Sequence, residues 1–188
     1  PRTTLAHAVH LNRRDVEIIG ERGSFLSHNP VSNLKLNSGL FAFEDLYHRL
    51  PGKVTIGTDG ASSNNNLSMI ESVKFASLAA KCQADSATAG KAADVFRAAT
   101  SNGAAAFGLN AGEIREGAPA DCLLVDLNNP FMVPAYNLVS DLVYAADSSS
   151  IADVICNGRL VMEDRRVEGE AEIVAEARKL AEKIINLK

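Results

Sequence analysis

The stretch KVTIGTDGASSNNN, Lys53 to Asn66, carries the reading of the fold. Val54, Thr55 and Ile56 form a short β-branched run without polar alternation, the pattern of a strand buried on both faces of a parallel sheet. Asp59 follows at the lip of that strand, and Gly60, two serines and three asparagines come after it. Locally, Asp59-Gly60 is as good a turn dipeptide as a catalytic carboxylate. The asparagine run is equally a helix N-cap.

Upstream, FAFEDLYHRLPG reads as a short helix stopped by Pro51 and Gly52, and SFLSH as another strand. Before these, TTLAHAVHL is strand-like, and Asn12 caps a short helix over RRDVEIIGERG that Gly23 ends. NPVSNLKLNSG between them reads as a loop by its Asn-Pro and Ser-Gly content. Downstream, a helix is expected from Leu67 to about Gln83, with Met69, Val73, Ala76 and Ala80 on one face. Strand and helix thus alternate three times over short connections, which predicts parallel βαβ units in an α/β fold.

From Thr88 to about Leu109 the text is alanine-rich and helical, broken at SNGAAAFG. The character then changes to short strands. Cys122 to Asp126 reads as one, and Asn157-Gly158 between two apolar runs predicts a two-residue hairpin. Ile173, Ala177, Leu180, Ile184 and Leu187 recur at helical spacing and predict a closing amphipathic helix.

Composition sets outer limits. In 188 residues, 46% are hydrophobic and 22% charged, with a net charge of −4, so a basic surface for nucleic acid is not expected. Cys82, Cys122 and Cys156 are widely spaced in apolar or helical text and are expected to be buried thiols of a reducing compartment. No apolar run approaches the roughly 18 residues of a membrane span, so a membrane partner is not expected and a cytoplasmic location is.

In an α/β barrel, catalytic groups stand at the C-terminal ends of the strands. Those ends carry His7 with His10, then His28 with Asn29, then Asp59 with Ser62 and Ser63. Two imidazole sites and a carboxylate converging on one pocket suit a divalent metal and an activated water. Each also has a plainer reading: His7 as a hydrogen-bonded core residue, His10 as a cap or packing residue near the helix start, and His48 on the solvent side of its helix.

LAHAVHL, SHNPVSNLKLNSG and GTDGASSNN, in this order and at these intervals, closely resemble the amidohydrolase superfamily, in its subgroup of adenosine-type deaminases and chlorohydrolases. GEIREGAPADCLLVDL and VICNGRLV resemble that family's small sandwich domain, so the likeness covers nearly the whole chain. Ala8 stands where many members have cysteine. The resemblance implies the last three βα units of a metal-dependent TIM barrel over 1–109, with strands 6 to 8, and β-sandwich strands with a C-terminal helix over 110–188.

It further implies that Asp59 binds the metal and shuttles a proton from the hydrolytic water. His7 would orient that water or the leaving group and help polarise the attacked position. Ser63 would line the substrate pocket, together with His28, Asn29, Ser32 and Asn33 of the preceding loop. One divalent metal is implied, zinc first and iron second, and the substrate would be a purine nucleoside derivative or related heterocycle that loses ammonia. Chlorohydrolysis is the alternative within this architecture, and a non-catalytic assembly module is the alternative outside it.

The family's first-strand His-x-His pair, its fifth-strand histidine and the glutamate beyond have no counterpart here. A whole barrel takes about 250 residues, and a catalytic zinc usually three protein ligands. The chain therefore reads as a fragment whose partner is the missing N-terminal half, a complementary chain or a further copy of itself. By itself it is expected to be inactive.

Overall fold

The computed structural model describes residues 3–186. Strand β1 (Thr4–Ala6) leads to helix α1 (Arg13–Arg22), which starts at a capping box between Asn12 and Asp15 and stops at Gly23 with φ 63°. Strand β2 (Phe25–His28) follows, then helices α2 (Pro30–Lys35) and α3 (Phe43–Arg49), then strand β3 (Val54–Ile56). The three strands pair in parallel in the order β1-β2-β3, with Leu5 opposite Leu26 and Ser27 opposite Thr55.

The segment expected to be a loop after β2 is helical over α2. Proline at its first turn lacks only an N–H that has no intrahelical partner there, and its fixed φ suits the helix start. Helix α4 (Ala61–Asn64) is a single turn beyond Asp59, and α5 (Met69–Ala84) begins at Ser68, whose hydroxyl accepts from the Glu71 N–H. The asparagine run therefore does not cap α5. Asn66 instead accepts from the Ser68 N–H and steadies the approach to it.

Helices α6 (Ala92–Ala99) and α7 (Ser101–Phe107) meet at Thr100, whose φ of −122° and ψ of −94° break the axis. The break lies there, and SNGAAAF is itself helical. Asn102 on α7 donates to the Val54 carbonyl at 2.8 Å, tying this helix to β3. One core joins Leu26, Val54, Ile56, Phe41, Phe43 and Leu46 of the α/β layer to Val73, Ala76 and Ala80 of α5 and Val95 and Ala98 of α6. Met69, expected on the same face of α5, is exposed at the helix start.

A second sheet forms from β4 (Cys122–Val125), β5 (Ile151–Cys156) and β6 (Arg159–Met162), antiparallel in the order β4-β5-β6. Asn157 and Gly158 make its hairpin, both at positive φ (48° and 75°), as a type I′ turn requires. Between β4 and β5 the chain returns to the first core through α8 (Leu138–Tyr144). There Val143 is fully buried, and the Tyr144 hydroxyl pairs with Ser77 at 2.7 Å. Helix α8, beyond residue 109, thus packs on α5 and α6.

Helix α9 (Glu170–Ile185) forms where its periodicity predicts, but it closes nothing: none of its residues is buried, and Ile173 and Ile184 are each 63% exposed. Leu187, the last position of that pattern, lies outside the described residues. The thiols are also not buried as expected. Cys82 and Cys156 are exposed and Cys122 is half-buried. Cys82 falls on the outer face of α5, two positions past the buried Ala80, and Cys156 sits beside the hairpin turn.

Candidate functional site

The ends of the three parallel strands bring His7, His28 and Asp59 to one side of the sheet. His7 follows β1 directly, and its N–H extends the ladder by donating to the Ser27 carbonyl at 2.9 Å. The chain then reverses sharply: His7 has φ 65°, Ala8 has φ 49°, and the Ala8 N–H donates back to the Ala6 carbonyl at 2.8 Å. Asp59 beyond β3 is also left-handed, at φ 62°. Non-glycine residues held so cost on the order of 1 kcal/mol or more each, and they cluster where side-chain aim matters. Here the two side chains meet, with His7 Nε2 3.8 Å from Asp59 Oδ2. Both keep accessible surface, 41% for the His7 side chain and 31% for that of Asp59.

The carboxylate is held from several directions. Ser32 and Ser63 both donate to Asp59 Oδ2, at 2.6 and 2.7 Å, and the Gly60 N–H donates to Oδ1 at 2.8 Å. These donors, Ser32 first, favour the ionised form and lower the Asp59 pKa to about 2. The Asp59 turn is anchored as well. Asn64 donates to the Thr58 carbonyl, and the Lys35 ammonium at the end of α2 donates to the Ser62 carbonyl and to Asn65.

The imidazole is held from one side. His7 Nδ1 lies 2.8 Å from Asn33 Oδ1. Asn33 sits in α2 and is only 2% exposed. His28 is equally buried, stacked on Phe41 with ring centroids 4.5 Å apart, and neither ring nitrogen has a hydrogen-bond partner among the described residues. Burial first, and the neighbouring His7 second, lower the His28 pKa to about 3, so this ring is neutral. Asn29 is buried beside Gly57, and its Oδ1 accepts from Ser27 Oγ at 3.3 Å.

Of the residues expected to touch substrate, His28, Asn29, Ser32 and Asn33 are therefore all covered by this chain's own atoms. Further protein around them can only cover them more. Ser32 contacts Asp59 and Asn33 contacts His7, while His28 packs on Phe41 and Asn29 meets Ser27. Ser63, at the margin of burial, spends its hydroxyl on Asp59 and on the Gly60 carbonyl. The sequence signalled His7 and Asp59 at the strand ends but not the contacts that hold them, since a contact across 26 or 27 residues leaves no local spacing to read. His10 does not cap α1; its Nε2 meets the Ser38 carbonyl at 2.9 Å. His48 pairs with Glu44 on the solvent side of α3.

Asp59 suits a divalent cation, being an ionised oxygen donor at a rigid turn, and His7 adds one nitrogen beside it. Among the described residues no group of three or more His, Cys, Asp or Glu could hold a metal ion. Two donors are fewer than the three usual at a catalytic zinc, so the pair fits as part of a metal site. No described helix is long and apolar enough to cross a membrane.

The amidohydrolase family profile matches residues 1–161. The chain is 42% identical, over 97% of its length, to 5-methylthioadenosine/S-adenosylhomocysteine deaminase 1 of Archaeoglobus fulgidus, 44% of which it covers. It is likewise 42% identical, over 98% of its length, to 5'-deoxyadenosine deaminase of Methanospirillum hungatei, covering 41% of that protein. Its structure superposes on a zinc-bound adenosine deaminase from Xanthomonas campestris with a TM-score of 0.92 at 36% identity, covering 97% of this chain and 42% of that one. Zinc-complexed atrazine chlorohydrolase from Arthrobacter aurescens matches at TM-score 0.86 and 24% identity, over 94% of this chain and 40% of that one, a likeness of fold alone. The chain thus spans about two fifths of the length of the proteins it matches.

Proposed function

The chain belongs to the amidohydrolase family, and from that premise we propose that it supplies the His7–Asp59 part of a metal-dependent site that hydrolytically deaminates an adenosine-type nucleoside. Strands β1 to β3 with their helices are read as the last three units of an eight-stranded barrel, strands 6 to 8. The sheet β4-β5-β6 and helix α9 are read as part of a small sandwich domain, with α8 returned to the first core. The carrying observation is the pair itself: an ionised carboxylate and an imidazole, 3.8 Å apart, on two left-handed strand-end turns.

Asp59 would be one ligand of a single divalent cation, zinc in the first instance, with the remaining ligands on polypeptide outside this chain. Bound there, the cation would supply Lewis acidity and make the water's proton easier to remove. The chain's own residues do the rest. Asp59 accepts the proton from the attacking water as its oxygen bonds to C6 of the purine, and the same carboxylate delivers a proton as the C6–N bond breaks, so ammonia leaves and a 6-oxopurine remains. Ser32, Ser63 and the Gly60 N–H keep Asp59 ionised and aimed, and His7 faces the carboxylate from the end of β1, across β2.

The substrate class rests on the similarity to proteins named for methylthioadenosine, S-adenosylhomocysteine and 5'-deoxyadenosine deamination. An assay panel on the zinc-loaded full-length protein tests it. Ammonia release from 5'-deoxyadenosine or S-adenosylhomocysteine is expected. Chloride release from a chlorinated triazine with no ammonia from either nucleoside would replace this reading by the chlorohydrolase one.

A further inference from the structure

The geometry points to Asn33 as the residue that fixes the tautomer of His7: its buried carboxamide oxygen takes the Nδ1 proton, so that neutral His7 presents a lone pair, not a proton, at Nε2. The two ring nitrogens of a neutral histidine are not equivalent, and the partner of one decides the protonation of the other. A carboxamide oxygen can only accept, so the 2.8 Å contact from Nδ1 to Asn33 Oδ1 requires the hydrogen on Nδ1.

Both ends of this contact are rigid. The His7 backbone is pinned by its bond to Ser27 and by the turn closed between Ala8 and Ala6. Asn33 is fixed in α2 by its N–H on the Asn29 carbonyl and by the Ser38 N–H on its own carbonyl, at 3.0 and 2.9 Å. At 2% exposure, water does not compete for the carboxamide.

The consequence lies at the other ring nitrogen. With Nδ1 protonated, Nε2 is an acceptor facing a carboxylate oxygen, also an acceptor, 3.8 Å away. An atom about 2.8 Å from Nε2 fits against that gap, and although Oδ2 already accepts from Ser32 and Ser63, the lone pair of Nε2 calls for a donor there. A water or an amino group meets that need. His7 therefore acts on the attacking water or departing amine by accepting from it, rather than by donating a proton to polarise the attacked atom. This consequence rests on the deaminase reading, whereas the tautomer does not.

The ring-nitrogen chemical shifts of 15N-labelled His7 in the full chain without metal, read for the neutral ring, test the assignment. A pyrrole-like Nδ1 and a pyridine-like Nε2 are expected in the native protein and in Asn33→Asp, which keeps the acceptor. In Asn33→Leu the Nδ1–H form should fall from dominant to minor. A pyridine-like Nδ1 in the native protein overturns the proposal, and so does an unchanged tautomer in Asn33→Leu. Should Asn33→Leu fail to fold, the native and Asn33→Asp spectra still decide. In the zinc-loaded full-length protein, Asn33→Leu is expected to lower kcat about tenfold or more with KM little changed, and Asn33→Asp to restore most of it. A loss confined to KM would contradict a positioning role.

Discussion

Ser32 Oγ stands 2.6 Å from Asp59 Oδ2, although 27 residues separate them, and the Ser63 hydroxyl reaches the same oxygen at 2.7 Å. A hydrogen bond to a charged group contributes about 1.5–3 kcal/mol, and the partial exposure of Asp59 lets water replace some of it. Ser32→Ala and Ser63→Ala are therefore each expected to lower stability by about 1.5 kcal/mol. In the double variant Oδ2 loses both donors, so its loss should exceed the sum of the two. Urea denaturation of the four proteins checks this, and strict additivity would mean that the hydroxyls do not share one carboxylate.

His28 predicts a pH dependence with a definite sign. Its folded pKa, about 3, lies below the ordinary 6.5, so on acidification the unfolded chain takes a proton that the native ring refuses. Its contribution is fully present above pH 6.5 and is lost progressively toward pH 3, at up to about 1.4 kcal/mol per pH unit. The lowered pKa of Asp59 acts in a different window, between its ordinary 3.8 and about 2. Denaturation midpoints between pH 7 and 4.5 thus isolate the histidine. His28→Phe, which keeps a ring on Phe41, should show a visibly shallower decline than the native protein, and equal slopes would refute the assignment.

Gly57 makes room for the layer under the site. A Cβ there would lie 2.6 Å from Asn29 Oδ1 and 2.9 Å from Ser27 Oγ. Gly57→Ala should destabilise by about 1–3 kcal/mol through overpacking. Adding Asn29→Ala removes the nearer obstacle, so the pair should cost less than the two single changes summed. Thermal denaturation of the set measures it, and simple summation would show that the collision is not with Asn29.

The strands, the hairpin and the meeting of His7 with Asp59 were legible because each has a local signature: the unalternating VTI run, the Asn157-Gly158 dipeptide, and a histidine or aspartate just past a strand. The supports beneath the pair were not. Ser32 and Asn33 carry the same letters whether they line a pocket or brace a neighbour, and only the packing of α2 against the strand ends shows that they brace. Helix α2 was itself hidden by Asn29-Pro30, which marks a turn as readily as a helix start. The α9 pattern predicted a helix correctly, but periodicity reports an apolar stripe and not what covers it.

In the proposed function the His7–Asp59 pair handles protons in hydrolytic deamination. Ammonia release from 5'-deoxyadenosine by the zinc-loaded full-length protein, compared with its Asp59→Asn variant, tests it most directly. Asp59→Asn keeps the shape of the side chain and removes its ability to take the water's proton. A loss of about 100-fold or more in kcat is expected, in the range of general acid–base catalysis. A variant that releases ammonia at the native rate, with its metal content unchanged, would contradict it.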